Sequence, residues 1–169
     1  MPPMALFGTS IVSSLVAWAL VTANFIWPML RDRSRVDALR PLLILHAFRF
    51  VGLSFLISGV VSYDLPPDFA FDAAYGDLVA AALALLSLAV LRTSLGIPLV
   101  WIFNVWGTFD LLNAFYRASA GGLMPGQLGA AYFLPTVIVP FLLITHVVMF
   151  WILVRQTSTA HARSGIVAT

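Results

Sequence analysis

The chain of 169 residues contains no cysteine, no lysine and no glutamate. Without cysteine there are no disulfides, no thiolate metal sites and no cysteine nucleophiles. Without glutamate the chain cannot build the paired-glutamate sites by which helical bundles hold two metal ions. Charge of any kind is scarce. Only 9% of residues carry it, all as arginine or aspartate, against about a quarter in an ordinary soluble domain. The restriction to one cation and one anion reads as the mutational bias of a GC-rich bacterial genome rather than as chemistry. The sequence also lacks an HExxH or other metal-ligand cluster, a GxSxG elbow and a glycine-rich phosphate loop. The net charge of +2 comes from arginines beside hydrophobic runs, which favours membrane orientation over nucleic-acid binding.

Apolar residues are what the chain has in excess. They make up 61% of it, and the mean hydropathy is +0.98, more than a soluble core of this size can cover. Five runs, near 9–30, 41–61, 74–92, 98–116 and 131–154, reach the ~20 apolar residues that a hydrocarbon core demands. Backbone groups find no water there, so each run should be a helix. The expectation is one all-α membrane domain over residues 1–169, a polytopic bundle of five transmembrane helices, with a flexible polar tail at 156–169. The first run lacks a basic leader and a small-residue cleavage site, so it reads as a helix and not as a signal peptide.

Sorted by alternating sides, Arg31, Arg33, Arg35, Arg40, Arg92, Arg155 and Arg163 fall on one face and Arg117 alone on the other. The positive-inside rule then places the N-terminus outside and the C-terminus inside, in a bacterial inner membrane. Trp27, Trp101 and Trp151 fall at the inner boundary, and Tyr63, Tyr75, Tyr116 and Tyr132 at the outer one. The stretch 62–77, with Asp64, Asp68, Asp72 and Asp77, reads as a solvated outer loop. The glycine-rich stretch 117–130 reads as a link or a gate. Gly76, Ala80 and Ala84 lie at four-residue spacing, which lets helices approach closely. Pro135 and Pro140 should kink the last helix.

Four runs carry a strong polar group at one depth, ~7–12 Å from the inner end by helical rise: Asn24, His46 with Arg49, Asn104, and His146. A second cluster, Asp110 with Asn113 and Arg117, lies on another face of the fourth run. Arg49 reads as an anion clamp, as a snorkelling cation or as the partner of Asp110. Asp110 reads as a proton or cation site or as a bridge to Arg117. His46 and His146 read as interhelical hydrogen bonds, as a proton-linked switch, or as the axial ligands of a b-type haem.

The leading functional reading is an intramembrane polar site for a proton, an ion or a small anionic or amphipathic ligand, in transport or sensing, built from His46, Arg49, Asn104, Asp110 and His146 with Asn24. It needs no cofactor or metal. The alternatives are a membrane redox protein holding haem between His46 and His146, and a structural or accessory membrane subunit. An intramembrane isomerase also stays open, so the sequence does not decide for or against an enzyme. The expected partners are the lipid bilayer, a small ligand or ion, and a second copy or another membrane subunit.

Overall fold

The computed structural model describes the backbone of residues 1–166 and the side chains of residues 1–155. Five long helices carry the architecture, with no strand among the described residues. Helix α1, Pro3–Arg31, is interrupted by one π turn at Thr22–Ile26. Helix α2, Arg35–Leu56, is α-helical to Ala47 and a 3₁₀ helix over Phe48–Leu56. Helices α3, Pro67–Val90, and α4, Gly96–Ala120, follow. A 3₁₀ segment, Pro125–Tyr132, and a π turn, Leu134–Ile138, lead into α5, Val139–Ile166. The side chains of the expected polar tail, His161 and Arg163 among them, lie outside the described residues.

Four described helical stretches are long and apolar enough to cross a membrane: α1, α2, α3 and Leu134–Arg155. Helix α4 has the length, 25 residues, but is too polar to join them. That polarity is concentrated in Asn104, Asp110 and Asn113.

The connections follow local chemistry. Ser34 caps α2 by accepting a hydrogen bond from the Asp37 N–H at 3.2 Å. Helix α3 starts seven residues before the run expected from hydropathy. Pro67 sits in its first turn, where a missing N–H costs nothing, and Asp68 stands at the positive end of the helix dipole. The stretch read as an aspartate-rich loop is therefore mostly helix. What remains of it is pinned to the 3₁₀ segment. Ser62 N–H donates to Gln127 O at 3.0 Å, Ala130 N–H to Val60 O at 2.7 Å, and the Gln127 amide to Asp64 O at 3.0 Å. Gly129, at φ 53°, passes so close to Val60 O that a side chain there would collide with it. Asp72 on α3 and Arg117 on α4 form an ion pair at this end.

Helix α3 packs against α2 and α4, and α5 packs against α1, α2 and α4. Small residues allow this: Ala73, Ala74, Ala80, Ala81, Ala84 and Ser87 form the buried face of α3. The prolines of the last helix produce a π turn at Leu134–Ile138, where the Trp18 indole donates to Val137 O at 3.0 Å. Helix α1 is peripheral, and its segment Pro3–Val21 has no buried residue.

The core is split in two. One apolar cluster gathers Leu39, Leu43, Ala80, Ala84, Phe103 and Met149; the other gathers Phe55, Ala73, Ala74, Leu123, Leu128 and Leu134. Along α2, α3, α4 and α5 the gap between the clusters falls at His46–Arg49, Asp77, Gly107–Asp110 and His146. The buried polar groups fill that gap.

Candidate functional site

Arg49 sits in the 3₁₀ half of α2. A 3₁₀ helix turns once every three residues, so positions i and i+3 eclipse. Arg49, Gly52 and Phe55 are accordingly the buried row of this segment, while Phe48, Phe50 and Val51 face outward. The Arg49 side chain has no exposure at all.

A guanidinium offers five N–H donors and accepts nothing. Four of them have hydrogen-bond partners, and the fifth, on Nη2, lies against Asp77 as an ion-pair contact. Nε–H donates to Asp77 Oδ1 at 2.7 Å, and Nη2 contacts the same oxygen at 2.7 Å. Nη2 also donates to Asp110 Oδ2 at 2.6 Å. Nη1 donates to Gly107 O at 3.2 Å and faces His146 Nε2 at 3.4 Å. No donor is left for an added carboxylate or phosphate, so the clamp expected at Arg49 is closed by the protein's own aspartates. The expected partnership with Asp110 is present; Arg117 pairs with Asp72 instead.

His146 is fixed from its other side. Asn104 Nδ2 donates to the His146 backbone carbonyl at 3.2 Å, so Asn104 Oδ1 is the atom that accepts from His146 Nδ1–H, at 2.7 Å. Nε2 is then the acceptor turned toward Arg49. Asn104 on one side of α4 and Asp110 on another therefore belong to one network, joined through His146 and Arg49. From the sequence they read as two clusters.

His46 lies beside His146, ring centroids 4.2 Å apart, and Phe103 packs on both rings at 5.2 and 5.4 Å. Thr145 Oγ1 lies 2.9 Å from Leu142 O and 3.0 Å from His46 Nε2, with which it shares a hydrogen bond; His46 Nδ1 is buried with no partner among the described residues. The haem expectation does not fit this geometry. Two imidazoles on one iron point their nitrogens at each other across ~4 Å, with the ring centres further apart still. Here the rings touch, and no porphyrin plane passes between them. Asn24 is also outside the network: it is exposed and bonds Leu20 O of its own helix at 2.8 Å.

Three glycines make the packing possible. A Cβ at Gly52 would collide with Asp77 and one at Gly76 with Asp110. One at Gly107 would lie 2.6 Å from His146 Cε1 and 2.8 Å from Arg49 Nη1. Glycine also opens the Gly107 carbonyl to Arg49.

The two carboxylates differ from the arginine in one respect. Asp77 and Asp110 keep 14% and 12% exposure, and both line a cavity of about 50 Å³ walled by Phe7, Phe55, Phe69 and Phe115. Arg49 uses one oxygen of each, leaving Asp77 Oδ2 and Asp110 Oδ1 without a hydrogen-bond partner among the described residues. No group of three metal-ligating side chains occurs among the described residues.

A helical bundle whose apolar helices close on a buried arginine–carboxylate cluster defines the class of protein. The chain belongs to the family described as a domain of unknown function, DUF8737, whose model matches residues 6–154. That match contains every residue of the network. No curated protein and no solved structure matches the chain.

The glycine contacts give a direct prediction. Gly→Ala inside a helix ordinarily stabilises by roughly 0.5–1 kcal/mol. Gly107→Ala should instead destabilise by about 1–3 kcal/mol, the cost of overpacking. Gly8→Ala, where nothing lies within 4 Å of the new methyl, should not destabilise. Thermal unfolding of the two variants in one detergent checks this.

Proposed function

We propose that this is a five-span bacterial inner-membrane protein, N-terminus outside and C-terminus inside, whose Asp77–Arg49–Asp110 cluster takes up a proton from the outer side, in transport or sensing. The carrying observation is the charge count in a buried place. One guanidinium faces two carboxylates, so the ionised cluster holds one unbalanced negative charge, and ionisable groups within a membrane domain are costly unless neutralised. A proton is the least demanding cation to neutralise it. The free oxygens of Asp77 and Asp110 cannot surround a metal ion, and the cavity holds only a few waters at ~10–15 Å³ each.

Helix α4 completes the five spans. Its 25 residues extend ~37 Å, enough to cross, and its polar groups Asn104 and Asp110 point into the network rather than at lipid. The seven-to-one arginine split supports this orientation.

Protonation of one aspartate weakens its hold on Arg49. The guanidinium then leans on the other aspartate and on His146 Nε2, whose ring Asn104 holds in place. The charge state of α3 and α4 is thereby read on α5. A purely structural clasp is the competing reading, favoured by the saturation of the Arg49 donors.

Two measurements check the proposal. A reporter fused after Thr169 should be cytoplasmic and one inserted at Asp64 external; the reverse at either site breaks the five-span arrangement. Infrared difference spectra of the reconstituted protein should show a protonated-carboxyl band that grows as pH falls. The band should vanish in both Asp77→Asn and Asp110→Asn, since a single carboxylate balances Arg49 without a proton. Absence of the band in the wild type favours the structural clasp.

A further inference from the structure

The cavity of about 50 Å³ beside the arginine cluster has a wall chemistry that the uptake of a proton does not require. Four helices each send a phenylalanine to it: Phe7 from α1, Phe55 from α2, Phe69 from α3 and Phe115 from α4. Among its described lining residues, Asp77 and Asp110 alone have polar side chains. The charge that reaches the cavity is therefore negative. The two aspartates keep 14% and 12% exposure, and Arg49 keeps none.

The side chains of that wall accept hydrogen bonds and donate none. A water there finds acceptors for its protons but no side-chain donor for its lone pairs. An anion is repelled. A metal ion needs more oxygen ligands than two carboxylates already committed to Arg49 can give. The fitting occupant is a cation that only donates and that tolerates aromatic walls. An alkylammonium ion meets these conditions. Its N–H groups donate, its charge is attracted to the faces of aromatic rings, and its carbon packs on apolar surface. Size narrows the choice. An apolar cavity of about 150 Å³ holds one benzene, so this one holds roughly two or three non-hydrogen atoms.

We infer that the cavity binds ammonium or a primary amine of about the size of methylammonium. The N–H groups of the ion lie on Asp77 and Asp110, and its charge brings the cluster to neutrality, two carboxylates against Arg49 and the bound cation. The charged and titratable groups that meet at this level are Arg49 on α2, Asp77 on α3, Asp110 on α4 and, behind the guanidinium, His146 on α5. Ammonium and a proton exclude one another there, charge for charge. The inference rests on the unbalanced negative charge that underlies the proposed proton site, and it gives that site a second cation.

The test is equilibrium dialysis of radiolabelled methylammonium against purified full-length protein, in a neutral detergent at neutral pH and constant sodium chloride. The wild type should bind one methylammonium per chain. Unlabelled tetramethylammonium, which is larger and has no N–H, should not displace it. Asp110→Asn leaves one carboxylate to balance Arg49 and should weaken binding roughly tenfold or more. Ala114→Leu, on the cavity wall, should weaken methylammonium more than ammonium, because the added bulk takes the room of the methyl group. Asp64→Asn, an exposed carboxylate outside the cavity, should leave binding unchanged. Absence of saturable binding to the wild type overturns the inference. So does binding that survives Asp110→Asn, falls equally in Asp64→Asn, or yields to tetramethylammonium. The infrared band described for the proton site keeps the two readings apart. A wild type that shows the band without binding methylammonium keeps the proton site and loses this inference; binding without the band does the reverse.

Discussion

Burying a guanidinium is the constraint on which the bundle depends. Arg49 never loses its proton and brings five donors into the core, where its side chain has no exposed surface. Every close feature of the core answers that demand. Two aspartates come from α3 and α4, a carbonyl from Gly107, and a ring nitrogen from His146. Glycine stands at three places where a methyl would block the approach. The 3₁₀ winding of α2 puts Arg49 and Gly52 on one line, so the cation and the space for its first partner arrive together. Such a cluster contributes little net stability against a well-packed apolar core, but breaking it from one side leaves an uncompensated buried charge. Its ion pairs tie α2, α3 and α4 together at one level, and His146 brings α5 to the same place.

That level divides the apolar core into two clusters, and on the carboxylate side it opens to a cavity. The exposure is placed on the carboxylates and withheld from the arginine. The asymmetry favours the proposed exchange of a proton over capture of an anion. It also gives the histidines a role without a metal. His146 Nε2 faces the guanidinium at 3.4 Å, and His46, tilted against the His146 ring, keeps one buried ring nitrogen without a partner among the described residues.

Much of this was legible in the residues. Hydropathy located all five long helices, because length and apolarity are local properties of a run. Depth counted along those runs gathered His46, Arg49, Asn104 and His146, which the structure joins. Asp77 escaped, and for a physical reason. A string of four aspartates looks solvated, and only Pro67 and Asp68 signal that a helix begins early enough to carry the last of them into the core. Asn24 was drawn in by depth alone; depth says nothing about which face a residue occupies, and this one faces outward. The haem reading failed on the same ground, since equal depth does not separate rings that touch from rings that face across an iron. The switch of α2 to a 3₁₀ helix has no clear mark in FRFVGLSFL, because tertiary fit around Arg49 decides it.

The buried cation is best tested by a stability comparison of Arg49→Leu with Arg49→Leu/Asp77→Asn/Asp110→Asn, by denaturant unfolding in a single detergent. If Arg49 is held as described, the single variant loses ~3–5 kcal/mol because two carboxylates are left facing each other, and the triple variant, with no charge to bury, recovers most of that loss. An Arg49→Leu protein as stable as the wild type, or a triple variant no better than the single one, would contradict the clasp.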